Sequence, residues 1–519
     1  MRSRTALSVV FAICAGAGLA AAQNGSLTGT EVAQFHKNAP LTNNRFGRDI
    51  LLDHDTALVM WGSTTSSYSL SCFVHSATGW THKPSPFFAA SGFTQSFEGD
   101  LCLQGFPSYL GTSGRVAVWR RSGSTWTQSW LLAPDVGQPP EAFGVSTDID
   151  GSTVVIGNSS HTENYANEGA LYVYEDTGAA LVLRQSFYGE VPGAQLGTEV
   201  RVSGDDMLVY YHTSPTTFGI HAYRRQGGVW IRTQPDIAPS APLNGGLQLD
   251  HGVAVARLAG GAFSVFANPG NGWFLDQTVP VVPGVFTGAY DFEIDDGVIA
   301  ASDPGADFAD VDAGAAYLFA RNDGWKLQAT LTASDAQTTD YFGYGIALQG
   351  SRLLVGAPNA DHTATDGGVV YEFALTHSPA HVYCVPEQAT LGCIARMGFS
   401  GVPSASSGLP FAITASGVLS HKTGVLVYGT NGRTFTPYPG GVRCIAAPRS
   451  TTARQTSGGT PGTSDCSGAL AVDFNALIAS GADPALYAGR VVDAQWIYRD
   501  PLGPSALASS EAIEFTILP

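Results

Sequence analysis

Apolar and polar positions alternate along this chain in short runs, and one such arrangement returns seven times between Phe46 and Gly356. Each copy opens on an aromatic or small anchor, reaches a turn seven to eight residues later and continues into a short apolar strand. Copies three and seven superpose without a gap: Phe143-Gly144, Asp150-Gly151 and Val154-Val155-Ile156-Gly157 match Phe342-Gly343, Gln349-Gly350 and Leu353-Leu354-Val355-Gly356. The same offsets place the other anchors at Phe46, Phe97, Leu196, Leu243 and Gly288. Their turns fall at Asp53-His54, Gln104-Gly105, Ser203-Gly204, Asp250-His251 and Asp295-Asp296. Successive anchors lie 45 to 54 residues apart. Short strands repeating every ~40–50 residues predict a β-propeller, whose blades bury their faces only against one another.

Further strands follow within each copy. A polar loop leads to a strand opened by glycine, as in Gly169-Ala170-Leu171-Tyr172-Val173-Tyr174, Gly314-Ala315-Ala316-Tyr317-Leu318-Phe319 and Gly368-Val369-Val370-Tyr371-Glu372-Phe373. This period-two alternation predicts a strand packed on a neighbouring blade. A fourth strand often carries tryptophan, at Trp80, Trp126, Trp230, Trp273 and Trp325, and recurrence at one blade position favours interblade core over a ligand platform. Copy seven stops at Thr376-His377-Ser378-Pro379 without that strand. Residues Thr30 to His36, ahead of the first anchor, match it and are expected to close the ring.

The N-terminus changes the picture of where the protein acts. Met1-Arg2-Ser3-Arg4, an apolar stretch from Ala6 to Leu19 and Ala20-Ala21-Ala22 form a secretory signal peptide over 1–22. An uncleaved anchor is the other reading, but the run is shorter and richer in Gly and Ala than the ~20 residues of a spanning helix. Export of a mature chain without membrane insertion is expected. The formal net charge of −17 becomes −19 once Arg2 and Arg4 are removed. That balance argues against nucleic acid and anionic membrane as partners. Six cysteines remain after Cys14 is lost, an even number that suits an oxidising compartment. Cys384 with Cys393, Cys444 with Cys466 and Cys72 with Cys102 are the expected disulfides, free thiols being the alternative.

Beyond His381 the repeat is gone. The expected division is a propeller over 23–376, a linker over 377–381 and a second domain over 382–519. Strand candidates there are Phe411–Ala415, Val425–Tyr428, Val491–Tyr498 and Ala512–Ile517. Gly- and Ser-rich turns between them predict a small disulfide-stapled β-sandwich. The whole chain is therefore expected to be all-β, a seven-bladed β-propeller followed by that sandwich.

Phe342-Gly343-Tyr344-Gly345-Ile346-Ala347-Leu348 followed by Val355-Gly356-Ala357-Pro358 resembles an FG-GAP repeat, the unit of integrin-α-like seven-bladed propellers and of many secreted bacterial proteins. Phe143-Gly144 and Ala333-Ser334-Asp335-Ala336 fit the bacterial type. The resemblance covers about residues 30 to 376; copies two, four, five and six have lost FG, GAP or both. It implies extracellular recognition and adhesion rather than chemistry. It also implies Ca²⁺ in an interstrand loop of alternating oxygen ligands. The full ligand run is missing here, and the nearest set is Asp303, Asp307, Asp310 and Asp312, with Asp361 and Asp366 in a second loop. Solvated loop acids are the other reading. Asp148-Ile149-Asp150-Gly151 is better read as a hairpin turn. The segments Pro403–Ser407, Asp465-Cys466-Ser467-Gly468, Asp473-Phe474-Asn475 and Gln495–Asp500 resemble a module appended to many secreted bacterial proteins, which suggests surface retention or export.

No catalytic motif is present: the chain lacks His-Glu-x-x-His, Gly-x-Ser-x-Gly and a P-loop. Asp465-Cys466-Ser467-Gly468 looks superficially like a serine-protease nucleophile segment but is read as a disulfide loop. Carboxylate pairs across a propeller axis are invisible in sequence. The leading expectation is a secreted, non-enzymatic recognition or adhesion protein that binds a protein or glycan through propeller loops. The alternative is a secreted propeller hydrolase or lyase acting on polysaccharide. The sequence is silent on oligomeric state.

Overall fold

The computed structural model describes residues 27–519 except 38–41, 65–66, 85–86, 88–93, 108–113, 124, 135–141, 215–216, 271, 283–285, 287, 362–363, 378 and 439–440. The expected signal peptide lies outside the described residues.

Seven four-stranded antiparallel sheets follow one another along the chain. Their first strands are Ile50–Asp53, Thr94–Glu98, Phe143–Asp150, Glu199–Ser203, Leu243–Asp250, Asp291–Asp295 and Gly345–Gln349. Each neighbours the next, and the seventh neighbours the first, so the sheets close into a seven-bladed β-propeller. The seventh blade takes its fourth strand from the N-terminal segment: Leu27–Phe35 runs antiparallel to Val369–His377, with Leu27 opposite His377 and Phe35 opposite Val370.

The repeated glycines have a steric cause. Gly105, Gly157 and Gly356 lie in second strands, where a methyl group would overlap the carbonyl oxygen of Gly144, Gly197 or Gly47 in the next blade. The glycine of one repeat thus rests on the anchor glycine of its neighbour. The anchors Phe46, Phe143, Leu196 and Phe342 are fully buried between blades. Trp126, Trp230 and Trp325 are buried in the same layers, and Arg121, Arg225 and Arg321 lie over their rings.

Copy two departs from the expected register. Its inner hairpin turns at Gly99-Asp100, and Gln104-Gly105 lie inside the strand Leu101–Phe106. Phe97 is accordingly the counterpart of Ile149, not of Phe143. Gln104-Gly105 resembles the Gln349-Gly350 turn, but Gly105 performs the strand-end packing of Gly157.

Two of the expected disulfides are re-paired and the third is not formed. Cys384 joins Cys444 and Cys393 joins Cys466, with Cα separations of 6.4 and 5.3 Å. Sequence proximity misled because sandwich strands bring distant segments together, as where Tyr383 donates its hydroxyl to the Cys444 carbonyl at 3.0 Å. Cys72 and Cys102 remain thiols, buried in one apolar cluster with Trp119 and Trp126 between blades one and two. There they pack as small apolar groups. Burial raises the pKa of both thiols.

The C-terminal unit is a β-sandwich. One sheet contains Ala380–Tyr383, Leu507–Thr516, Val491–Arg499 and Thr423–Gly429; the other contains Arg396–Ser400, Ala412–Val418 and Gly468–Asp473. Phe411, Ile413, Leu426, Phe474, Trp496 and Phe515 fill the space between them. The expected linker is nearly absent: His377 ends a propeller strand and Ala380 begins a sandwich strand.

The sandwich docks on the turn end of blades five and six around Asp276, whose side chain is fully buried. Asp276 accepts from Trp325 Nε1 at 3.1 Å and from Arg321 Nη2 at 3.2 Å, and pairs with Arg396 of the sandwich. A second bridge runs from Arg433 to Asp296 at 2.6 Å and to Glu514 at 2.9 Å.

Candidate functional site in the central channel

The seven inner strands surround a channel that holds a cavity of about 840 Å³. At its turn end, the last residue of each inner strand accepts a backbone N–H from the turn of the following blade. Asp53 takes Gly99 N–H at 2.8 Å, Glu98 takes Gly151 at 2.9 Å, and Asp150 takes Gly204 at 2.8 Å. Ser203 takes His251 at 3.2 Å and Asp250 takes Asp296 at 3.1 Å. Asp295 takes Gly350, and Gln349 returns to His54. Inner strands are too splayed to share a backbone ladder, and these side chains supply the missing bonds around the full ring.

Aromatic and cationic groups gather at the opposite, anchor end. The Arg48 guanidinium lies over Tyr68 and Tyr344, 5.2 and 4.9 Å from the ring centres, and donates to the Tyr344 hydroxyl at 2.9 Å. The Tyr290 ring lies 5.1 Å from Tyr344, and the residue is 45% exposed.

Between the two ends lie Asp49, Asp148, Asp291 and Glu293. Asp49 and Asp291 occupy equivalent positions in blades one and six, and each accepts the N–H of its following residue, Ile50 at 2.8 Å and Phe292 at 2.9 Å. Blade seven, between them, has Gly345 at that position, where a methyl group would press on the Asp49 backbone. Burial, then the charge of Asp49, pushes Asp291 up to about 7. Burial and then Asp291 raise Glu293 well above the usual carboxylate range. Burial lifts Asp148 to about 6 against the pull of Arg201 and a 2.7 Å hydrogen bond from Val202 N–H. Asp49 is also raised by burial, partly offset by a 2.7 Å hydrogen bond from Gln95.

The channel arginines are already engaged. Arg201 is 3.4 Å from Glu199 and donates to Gln248 at 3.0 Å, while Arg257 donates to the carbonyls of Ala289 and Tyr290. The arrangement presents exposed aromatic residues, hydrogen-bond acceptors and buried acids whose pKa values are raised.

The acids singled out as Ca²⁺ ligands behave differently. Asp303 accepts from Gly305 N–H at 3.0 Å, Asp307 from Asp312 N–H at 2.8 Å and Asp310 from Val311 N–H at 2.8 Å. Asp361 braces Asp366 N–H at 2.7 Å in the equivalent loop of blade seven. These carboxylates stiffen their own loops. Among the described residues no three His, Cys, Asp or Glu side chains are grouped as a metal ion needs. Asp148, read as a turn residue, proves to be a channel acid. The alternation Asp291-Phe292-Glu293-Ile294-Asp295 was the signal available for the others.

A smaller cavity of about 400 Å³ lies where the sandwich meets the turn end, lined by His251, Asp295, Tyr383 and Phe435 among others. The neighbouring Asp250 carboxylate holds His251 up to about 9.

The FG-GAP repeat model matches this chain twice, over 126–174 and 325–373. Each match runs from the tryptophan strand of one blade to the third strand of the next. A search of curated proteins finds no match. Among solved structures, Sqt1 of Saccharomyces cerevisiae aligns with 12% identity over 75% of this chain and 96% of that one, with a TM-score of 0.37.

Proposed function

We propose that this is an exported recognition protein that captures an extracellular protein or glycan at the anchor end of the propeller channel, without turning it over. The observation that carries this reading is the exposed Tyr290 beside Tyr344 and Arg48, at the entrance to a polar cavity of about 840 Å³. Aromatic faces with a few convergent polar groups are what a ligand site needs. Arg48, Tyr290 and Tyr344 sit in the loops that lead into the inner strands Ile50–Asp53, Asp291–Asp295 and Gly345–Gln349, so the site is loop-borne. Export is supported by the signal-like N-terminus and by the disulfides Cys384–Cys444 and Cys393–Cys466. The C-terminal sandwich, on the opposite end, leaves the anchor end open and suits surface retention. The test is binding of the mature chain to cell surfaces and immobilised glycans before and after Arg48→Ala and Tyr290→Ala.

One observation favours a second reading, hydrolysis or lysis of polysaccharide. Asp291 holds a proton near neutral pH beside Asp49, as a general acid beside a carboxylate would. Released reducing sugar that disappears in Asp291→Asn would establish it.

A further inference from the structure

We propose that His377 and His381 form an acid-sensitive latch between the propeller and the sandwich, closed while both rings are neutral and opened by their protonation.

The two histidines stand on either side of the junction. His377 ends the third strand of blade seven, and His381 lies in the first strand of the sandwich, opposite Glu514 of the neighbouring strand. Their rings are stacked, 4.0 Å between centres and 8° from parallel. Two neutral imidazoles tolerate that contact, whereas two imidazolium ions so placed repel one another. His381 Nδ1 is 3.2 Å from Arg433 Nη2. A guanidinium only donates, so Nδ1 is the acceptor and the neutral ring carries its proton on Nε2.

The same guanidinium joins the two units. Arg433 donates to Asp296, in the turn of blade six, at 2.6 Å and to Glu514, in the sandwich, at 2.9 Å, and lies 4.2 Å from the centre of the Tyr383 ring. A second proton can enter His381 only at Nδ1, where it meets the Arg433 N–H. The hydrogen bond then becomes a repulsion between two donors, Arg433 is displaced, and its bridge to Asp296 is lost. Asp296, Arg433 and Tyr383 also wall the cavity of about 400 Å³ between the units, so the displacement uncovers it.

The charged and titratable groups around the pair are Asp296 from blade six, Arg433 and Glu514 from the sandwich, Tyr383 beside His381 and Asp493 beyond Glu514. Burial, then His381, lowers His377 to about 4, and burial, then Arg433, lowers His381 to about 4. Asp296 opposes both shifts and Glu514 that of His377, without offsetting burial. Solvated in the opened junction, the rings return towards the ordinary 6.5. The opened form therefore binds protons more tightly: the closed form has its full advantage above about 6.5, loses it as pH falls to about 4, and is level below that.

The test is hydroxyl-radical footprinting of the mature chain from pH 7 to pH 4, read by mass spectrometry at Tyr383, which is 6% exposed, and at Trp496, fully buried in the sandwich core. The opened population is expected to rise about tenfold per pH unit for each histidine that titrates, and Tyr383 oxidation with it, while Trp496 stays protected. His377→Gln combined with His381→Gln should abolish the rise. Arg433→Gln, which lacks the bridge, should show Tyr383 oxidised already at pH 7. If the double variant does not fold, His377→Phe keeps a stacked ring without a titratable nitrogen and should halve the steepness of the rise. Tyr383 protection that persists to pH 4 would overturn the latch. So would a rise that survives loss of the histidines, which would assign the titration to Asp296, Glu514 or Asp493, or a parallel rise at Trp496, which would mean that the sandwich unfolds.

Discussion

The Asp150 carboxylate, at the end of the inner strand of blade three, accepts the Gly204 N–H of blade four at 2.8 Å. The same bond recurs around the ring, yet the accepting residue varies among Asp, Glu, Ser and Gln. What is repeated is an oxygen at a fixed place. Asp150→Ala is expected to cost about 1 kcal/mol of unfolding free energy and Asp150→Asn close to nothing, as measured by urea denaturation. Equal losses in the two variants would assign the effect to charge instead.

The N-terminal strand closes blade seven. Leu27 is fully buried against Leu331 and Leu375 side chains, and Phe35 packs against Phe73 and Trp80 of blade one. Leu27→Ala should cost about 2–4 kcal/mol. Deletion of residues 23 to 40 should lower and broaden the thermal transition. An unchanged melting curve would mean the ring is held shut elsewhere.

Asp276 pins the sandwich to the propeller. Asp276→Asn removes the carboxylate paired with Arg321, 2% exposed, and leaves Arg396 with the more distant Glu511 at 3.9 Å. A loss of about 3–5 kcal/mol is expected from stranding such charges. Limited proteolysis should then cut near Ser378-Pro379, releasing the sandwich.

Glu387 gives the sandwich a pH dependence. It accepts Ser509 N–H at 3.1 Å, and burial, then the charge of Asp500, sets its pKa to about 8 against an ordinary 4.5. The folded state binds this proton more tightly than the unfolded chain, so stability falls as pH rises from about 4.5 to about 8 and is level above that. Glu387→Gln should remove this slope. Melting temperatures recorded across pH 4 to 9 check it, and a slope that persists in the variant would locate the titration elsewhere.

The sequence carried the architecture because its glycines are steric necessities: Gly157 and Gly356 cannot change without displacing Gly197 and Gly47. It carried the C-terminal strands Ala412–Val418 and Val491–Arg499 through their alternation. Copy two was misregistered because Gln104-Gly105 has turn chemistry but strand geometry. The disulfides were mispaired because separation along the chain says little about which sandwich strands meet. The channel was legible only as scattered acids, since Asp49 and Asp291 meet through ring closure and no local spacing encodes that. The loop from Asp303 to Asp312 stood out for the opposite reason, its acids being close in sequence while Asp303, Asp307 and Asp310 each brace a backbone N–H.

The most direct measurement is binding of the purified mature chain to whole-cell surfaces and a glycan array, alongside Arg48→Ala and Tyr290→Ala, with released sugar monitored in the same wells. Saturable binding without product, weakened in both variants, is the predicted result. Binding that survives both substitutions, or product release that requires Asp291, would contradict the account of the channel as a non-catalytic recognition site.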